Sequence, residues 1–136
     1  MQPALRATGL TLATALTLVI PACDSGGVPS NPLIGSWDAV SFTAQGTDVI
    51  AHGMSLVLTF EKGGTYTLDF TNDLIGSCNP GPDCTATGTY QRSGNQVTLD
   101  PGTADETVFT YLIQGSTLTL TGDIDGIPVT IVLDAK

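Results

Sequence analysis

The chain has 136 residues, of which 12% are charged and 41% apolar, with 4 Lys and Arg against 13 Asp and Glu for a formal net charge of −9. That length is one domain by the usual size prior, and carboxylates in excess without clustered cations exclude binding to nucleic acid or anionic lipid, which needs such clusters. Beyond residue 22 no stretch is long and apolar enough to cross a bilayer as a helix, so the acidity reads as the solvated surface of a soluble fold.

Residues 1–22 read as an export signal, with Arg6 as the positive region, residues 7–20 as the apolar core, and the small Ala22 at the end. An uncleaved membrane anchor is the alternative, but the core is Thr-interrupted and short of the roughly twenty residues a spanning helix needs. Ile20-Pro21-Ala22-Cys23 resembles the bacterial lipoprotein processing box. That resemblance implies that Cys23 is lipidated and becomes the new N-terminus, which removes Arg6 and leaves the mature chain one unit more negative. Residues 23–32 form a Gly-, Ser- and Pro-rich tether, whose nine residues after Cys23 reach roughly 15 to 18 Å. The folded domain is expected at residues 33–136.

From residue 33 onward the apolar residues alternate. Met54, Leu56, Leu58 and Phe60 lead into Glu61-Lys62-Gly63-Gly64, after which Tyr66, Leu68 and Phe70 continue the period against a Thr-rich partner face. This is a hairpin with one buried face, and further strands must cover that face. Strands are expected near 36–43, 54–60, 65–71, 84–91, 96–100, 107–113, 117–121 and 127–133, joined by turn residues such as Ser93-Gly94-Asn95, Asp100-Pro101-Gly102 and Asp123-Ile124-Asp125-Gly126. Most links are too short for a crossover helix, and no window shows a helical period. Eight sequential antiparallel strands predict an all-β, eight-stranded antiparallel up-and-down β-barrel, because closing the sheet removes both exposed edges. A Greek-key sandwich would need longer links.

Leu33-Ile34-Gly35-Ser36-Trp37 at the first strand, Gly63-Gly64-Thr65-Tyr66, Gly88-Thr89-Tyr90, Gly94-Asn95-Gln96-Val97-Thr98-Leu99 and Ser116-Thr117-Leu118-Thr119-Leu120 follow in an order that resembles the lipocalin-like domain of bacterial lipoproteins. The resemblance spans residues 33–133. It implies that Gly35 and Trp37 close one end of the barrel, Gly35 by allowing close backbone approach and Trp37 as a buried plug whose N–H needs a partner.

Cys78 and Cys84 bracket the longest loop, and in an exported protein they read as a disulfide. A metal site would need two further ligands, and a redox pair would need a tighter Cys-x-x-Cys. His52 lies in a loop without a nucleophile motif such as Gly-x-Ser-x-Gly or a His-Glu-x-x-His beside it, so it reads as an exposed loop histidine. Asp123 and Asp125 fail the calcium-loop formula because Ile127 begins a strand, and Asp100, Asp105 and Glu106 read as a solvated acidic loop. No catalytic, metal or cofactor site is expected.

The expected inward set runs through Trp37, the 54–60 and 65–71 strands, Tyr90, Val97, Leu99, Phe109, Tyr111, Ile113, Leu118, Leu120, Val129, Ile131 and Leu133, with Val108, Thr110 and Leu112 an equal alternative face for their strand. An eight-stranded barrel is either just filled by its side chains or holds one small ligand. The first reading is a non-enzymatic, monomeric lipoprotein on the periplasmic or extracellular face of a bacterial envelope membrane. It would bind a small hydrophobic ligand against Leu56, Leu58, Tyr66, Leu68, Tyr90 and Tyr111. The alternative is a side-chain-filled structural or protein-interaction domain of the envelope.

Overall fold

The structure, a computed structural model, describes residues 30–136. The expected leader, most of the expected tether and the expected lipidation site Cys23 lie outside the described residues.

Alternating apolar residues and short Gly-containing turns produce nine strands: β1 (Gly35–Ala44), β2 (Thr47–Asp48), β3 (Ser55–Phe60), β4 (Thr65–Thr71), β5 (Cys84–Ser93), β6 (Gln96–Leu99), β7 (Thr107–Gln114), β8 (Thr117–Ile124) and β9 (Ile127–Ala135). Leaving aside β2, each strand pairs antiparallel with the next, and β9 returns to pair with β1. The result is the expected closed eight-stranded up-and-down barrel. The two-residue β2 is a short ribbon folded back on the end of β1 that the sequence reading did not include.

β1 pairs with β3 through Gly35 to Asp38 and with β9 along Trp37 to Ala44. A register shift between Ala39 and Ser41 leaves Val40 outside the ladder and 49% exposed. One extra residue reverses the inward parity, so Trp37 and Ala39 face inward before the bulge and Phe42 and Ala44 after it. Phe42 is accordingly a core residue at 3% exposure, although strict alternation from Trp37 would turn it outward. Past Asp38, β1 leaves β3, and the loop after β2 fills the gap: Val49 N–H donates to Phe42 O, and Asp48 Oδ1 accepts from the backbone of Phe42, Ile50 and Ala51. The Phe42 N–H bond holds the Asp48 carboxyl below its usual pKa.

The even strand count sends the chain termini and the β3–β4, β5–β6 and β7–β8 turns to one end, and the four remaining connections to the other. The first end is sealed. Leu33 is fully buried beneath it, Trp37 Nε1 donates to Leu33 O at 2.8 Å, and Phe60 meets Tyr90 edge-on with ring centroids 4.8 Å apart. The Tyr90 hydroxyl donates to Glu61 O and accepts from Asn31 Nδ2. Trp37 thus plugs the barrel as expected, whereas Gly35 acts differently from the expectation. A Cβ there would meet nothing within 4 Å, and its φ of +131° is what calls for glycine.

On β7, Phe109, Tyr111 and Ile113 face inward, and Val108 and Leu112 are exposed. At the open end, Cys78 and Cys84 are disulfide-bonded with Cα atoms 5.5 Å apart, tying the 72–83 loop to the head of β5. Asp73 braces the same loop by accepting from Ile75 N and Cys78 N. Because the bridge closes a short loop outside the core, the double variant Cys78→Ser, Cys84→Ser should lose about 2 kcal/mol and keep its far-ultraviolet circular dichroism, as checked by denaturant unfolding. Complete unfolding of the variant would assign the loop a larger part in the fold.

Candidate functional site

The barrel core does not fill the end opposite Trp37. A cavity of about 200 Å³ lies there, walled by Leu56 and Leu58 of β3, Tyr66, Leu68 and Phe70 of β4, Leu99, Phe109, Leu120, Ile131 and Leu133, with Phe42 from β1. Ile75 and Ser77 of the disulfide-tied loop reach over it, and Asp100, Asp105 and Thr107 complete its polar side. A second recess of about 420 Å³, between Ala44, Gln45, Gly76, Asp125, Ile127 and Val129, shares Phe42, Ile75, Ser77 and Ile124 with the first. An inner apolar chamber therefore adjoins an outer vestibule at the mouth of the barrel.

Two strand glycines shape this wall. β6 is short and pairs with β5 only at residues 90–93, so the upper part of β5 lacks a ladder partner on that side. Ala86 is exposed as a consequence, though it sits opposite Leu68 in an inward register. Asp100 stands in for the missing strand: its N–H donates to Thr89 O, its Oδ1 accepts from Thr89 N, and its Oδ2 accepts from the Tyr66 hydroxyl at 2.6 Å. This arrangement requires Gly88, since a Cβ there would overlap Asp100 Oδ1 and lie 2.7 Å from Tyr66 Cε1. Gly122 on β8 lets the Phe109 ring approach, with Phe109 Cδ1 2.9 Å from where a Cβ would stand.

Burial, and then the bond to Asp100 and its charge, push the Tyr66 hydroxyl well above its usual pKa. Of the residues expected in the lumen, Leu56, Leu58, Tyr66 and Leu68 line the cavity. Tyr90 and Tyr111 depart from that expectation because the closed end claims both. Tyr90 belongs to the plug, and the Tyr111 hydroxyl donates to Gly94 O and accepts from Arg92 Nη1. Phe42, Phe70, Ile75, Asp100 and Asp105 join the site beyond the expected set. His52 is exposed on the loop after β2 and lies outside both recesses. Among the described residues, no three His, Cys, Asp or Glu side chains are grouped to hold a metal ion.

The family profile of the lipocalin-like domain matches residues 33–120, more than half of the chain. The chain belongs to the lipocalin-like domain family. No curated protein matches it. Among solved structures, this lipocalin-like chain is similar to a REP1-NXSQ fatty acid transporter at 12% identity and a TM-score of 0.46, over 76% of this chain and 96% of the other. It is also similar to secretory abundant heat soluble protein 4 from Ramazzottius varieornatus, at 14% identity and a TM-score of 0.45 over 81% and 99%. A third, the fluorescent protein UnaG, has 10% identity and a TM-score of 0.44 over 76% and 97%.

The Tyr66–Asp100 bond carries a pH signature. A folded-state pKa raised above the ordinary tyrosine value of 10.0 means that the stability it reports is fully present below pH 10 and is lost as pH rises from there toward the folded value. Tyr66→Phe of the lipocalin-like domain should be about 1.5 to 3 kcal/mol less stable at pH 7, for loss of a hydrogen bond to a charged group. Its stability should also fall less steeply than the parent's above pH 10, as followed by urea unfolding across pH. Equal alkaline slopes would show that Tyr66 does not control that limb.

Proposed function

We propose that this lipocalin-like protein is a non-enzymatic binding protein that takes one small, largely apolar molecule through the open end of its barrel and is held at a bacterial envelope membrane by a lipid on Cys23. The observation that carries the binding reading is the apolar chamber beside an open vestibule, with which it shares Phe42, Ile75, Ser77 and Ile124, in place of a core filled to both ends. Its volume of about 200 Å³ is below the roughly 300 to 1,000 Å³ of pockets for drug-sized ligands, which favours a small guest. Each buried methylene contributes about 0.8 kcal/mol, and the entropy of association offsets several of them, so affinity should be on the order of micromolar.

Titration with the neutral dye N-phenyl-1-naphthylamine should give saturable fluorescence enhancement in the parent and little in Leu68→Trp, whose indole would occupy the chamber. Absence of saturable binding would sink the proposal in favour of an envelope interaction domain, and binding indifferent to Leu68→Trp would move the site outside the barrel.

The anchoring part rests on the leader and processing-box residues 1–23 and on the tether composition. Mass spectrometry of membrane fractions should find an acylated N-terminal Cys23. A product starting at Met1, or an unmodified Cys23 in the soluble fraction, would contradict it.

A further inference from the structure

The described Lys and Arg residues are confined to one end of the barrel axis, where they offset Asp38, Glu61 and Asp134. Lys62 on the β3–β4 turn, Arg92 at the end of β5 and Lys136 after β9 are the Lys and Arg residues of the described chain, and all three sit at the closed end. The ion pair among the described residues, Lys136 with Asp38, is there too. The loops of the open end carry Asp73, Asp83, Asp100, Asp105, Glu106 and Asp125, and His52 lies at the same end. Several of these carboxylates serve the loops that bear them: Asp73 accepts from Ile75 N and Cys78 N, Asp83 from Asn72 N, and Glu106 from Gly102 N.

Two of the others are placed for a guest. Asp105 uses its backbone N–H and carbonyl inside its loop, and it is one of the residues that line the inner chamber. Asp125 lines the vestibule and is exposed. Asp100, also in the inner wall, accepts from Tyr66 and Thr89 N, which leaves lone pairs free on a carboxylate that has about four sites. No Lys or Arg lines either recess, so a guest's own carboxylate would meet only like charge on entering. An ammonium group at the mouth would meet opposite charge while its alkyl portion fills the chamber.

Resting on the reading of the cavity as a binding site, we propose that the barrel selects apolar molecules carrying a positively charged amine over those carrying a carboxylate. The guest's hydrocarbon would lie against Leu56, Leu68 and Phe70, and its ammonium near Asp100 and Asp105.

Displacement of bound N-phenyl-1-naphthylamine by three eight-carbon competitors at neutral pH and low salt separates charge from hydrophobicity. Octylamine, protonated as a lysine is, should displace the dye at about tenfold lower concentration than octanoate, with octanol between them, a gap of the size that a few partly exposed charges give. The gap should narrow at high salt. It should also narrow in Asp105→Asn, Asp125→Asn, a pair of exposed loop substitutions that leave the Tyr66–Asp100 bond in place.

Octanoate equal to or better than octylamine, with dye binding intact and blocked by Leu68→Trp, would overturn the charge selection and leave the binding function standing. A gap unchanged in the double variant would likewise overturn it. Failure of the dye to bind at all would remove both.

Discussion

Everything in this barrel depends on β1 serving two neighbours at once. Its lower half completes a ladder with β3 while its length pairs with β9, and without that double pairing the sheet would be open, with two edges and an uncovered apolar face. A straight, regular strand would keep one set of side chains inward throughout. The bulge at Val40 bends β1 and switches its inward set, so the same strand delivers Trp37 to the sealed end and Phe42 to the cavity wall. Plug and pocket are thus two consequences of one inserted residue.

The two ends of the barrel are built from different chemistry. At the sealed end, aromatic rings and backbone carbonyls satisfy each other: Trp37 with Leu33 O, Tyr90 with Glu61 O and Asn31, Tyr111 with Gly94 O. Each polar atom brought inside by a large ring finds a partner there, which keeps the cost of burying it low. At the open end, small residues replace large ones along the upper part of β5, and the space they release is taken by Asp100 and Tyr66 rather than by hydrocarbon. A short β6 and a glycine at position 88 therefore decide that the barrel has a mouth.

Much of this was legible in the sequence. Period-two alternation located all eight barrel strands and most of their inward residues, because burial on one face leaves that mark on every strand. The Leu33 to Trp37 segment announced the plug, and Cys78 with Cys84 the bridge. What escaped depended on partners distant in the chain. Phe42 was hidden by a bulge whose only sign is a broken alternation. Tyr90 and Tyr111 carry the same inward signature as Tyr66, and nothing local says that Glu61 O and Gly94 O, at the turns of the closed end, will claim their hydroxyls. Asp100 looks like an ordinary turn residue until β6 proves too short to satisfy Thr89.

The charge sorting along the barrel axis has a mechanical side. At the sealed end Lys62, Arg92 and Lys136 offset Asp38, Glu61 and Asp134, while the mouth carries carboxylates without Lys or Arg among the described residues, which gives the molecule a permanent electric dipole parallel to the barrel axis. Near any anionic surface such a body experiences a torque that turns the sealed end toward the surface and the mouth toward bulk solvent, within the screening length of the medium. The described chain also enters the barrel at that sealed end, beside Asn31 and Leu33. That torque would keep the opening accessible from solution without any further contact to hold it upright.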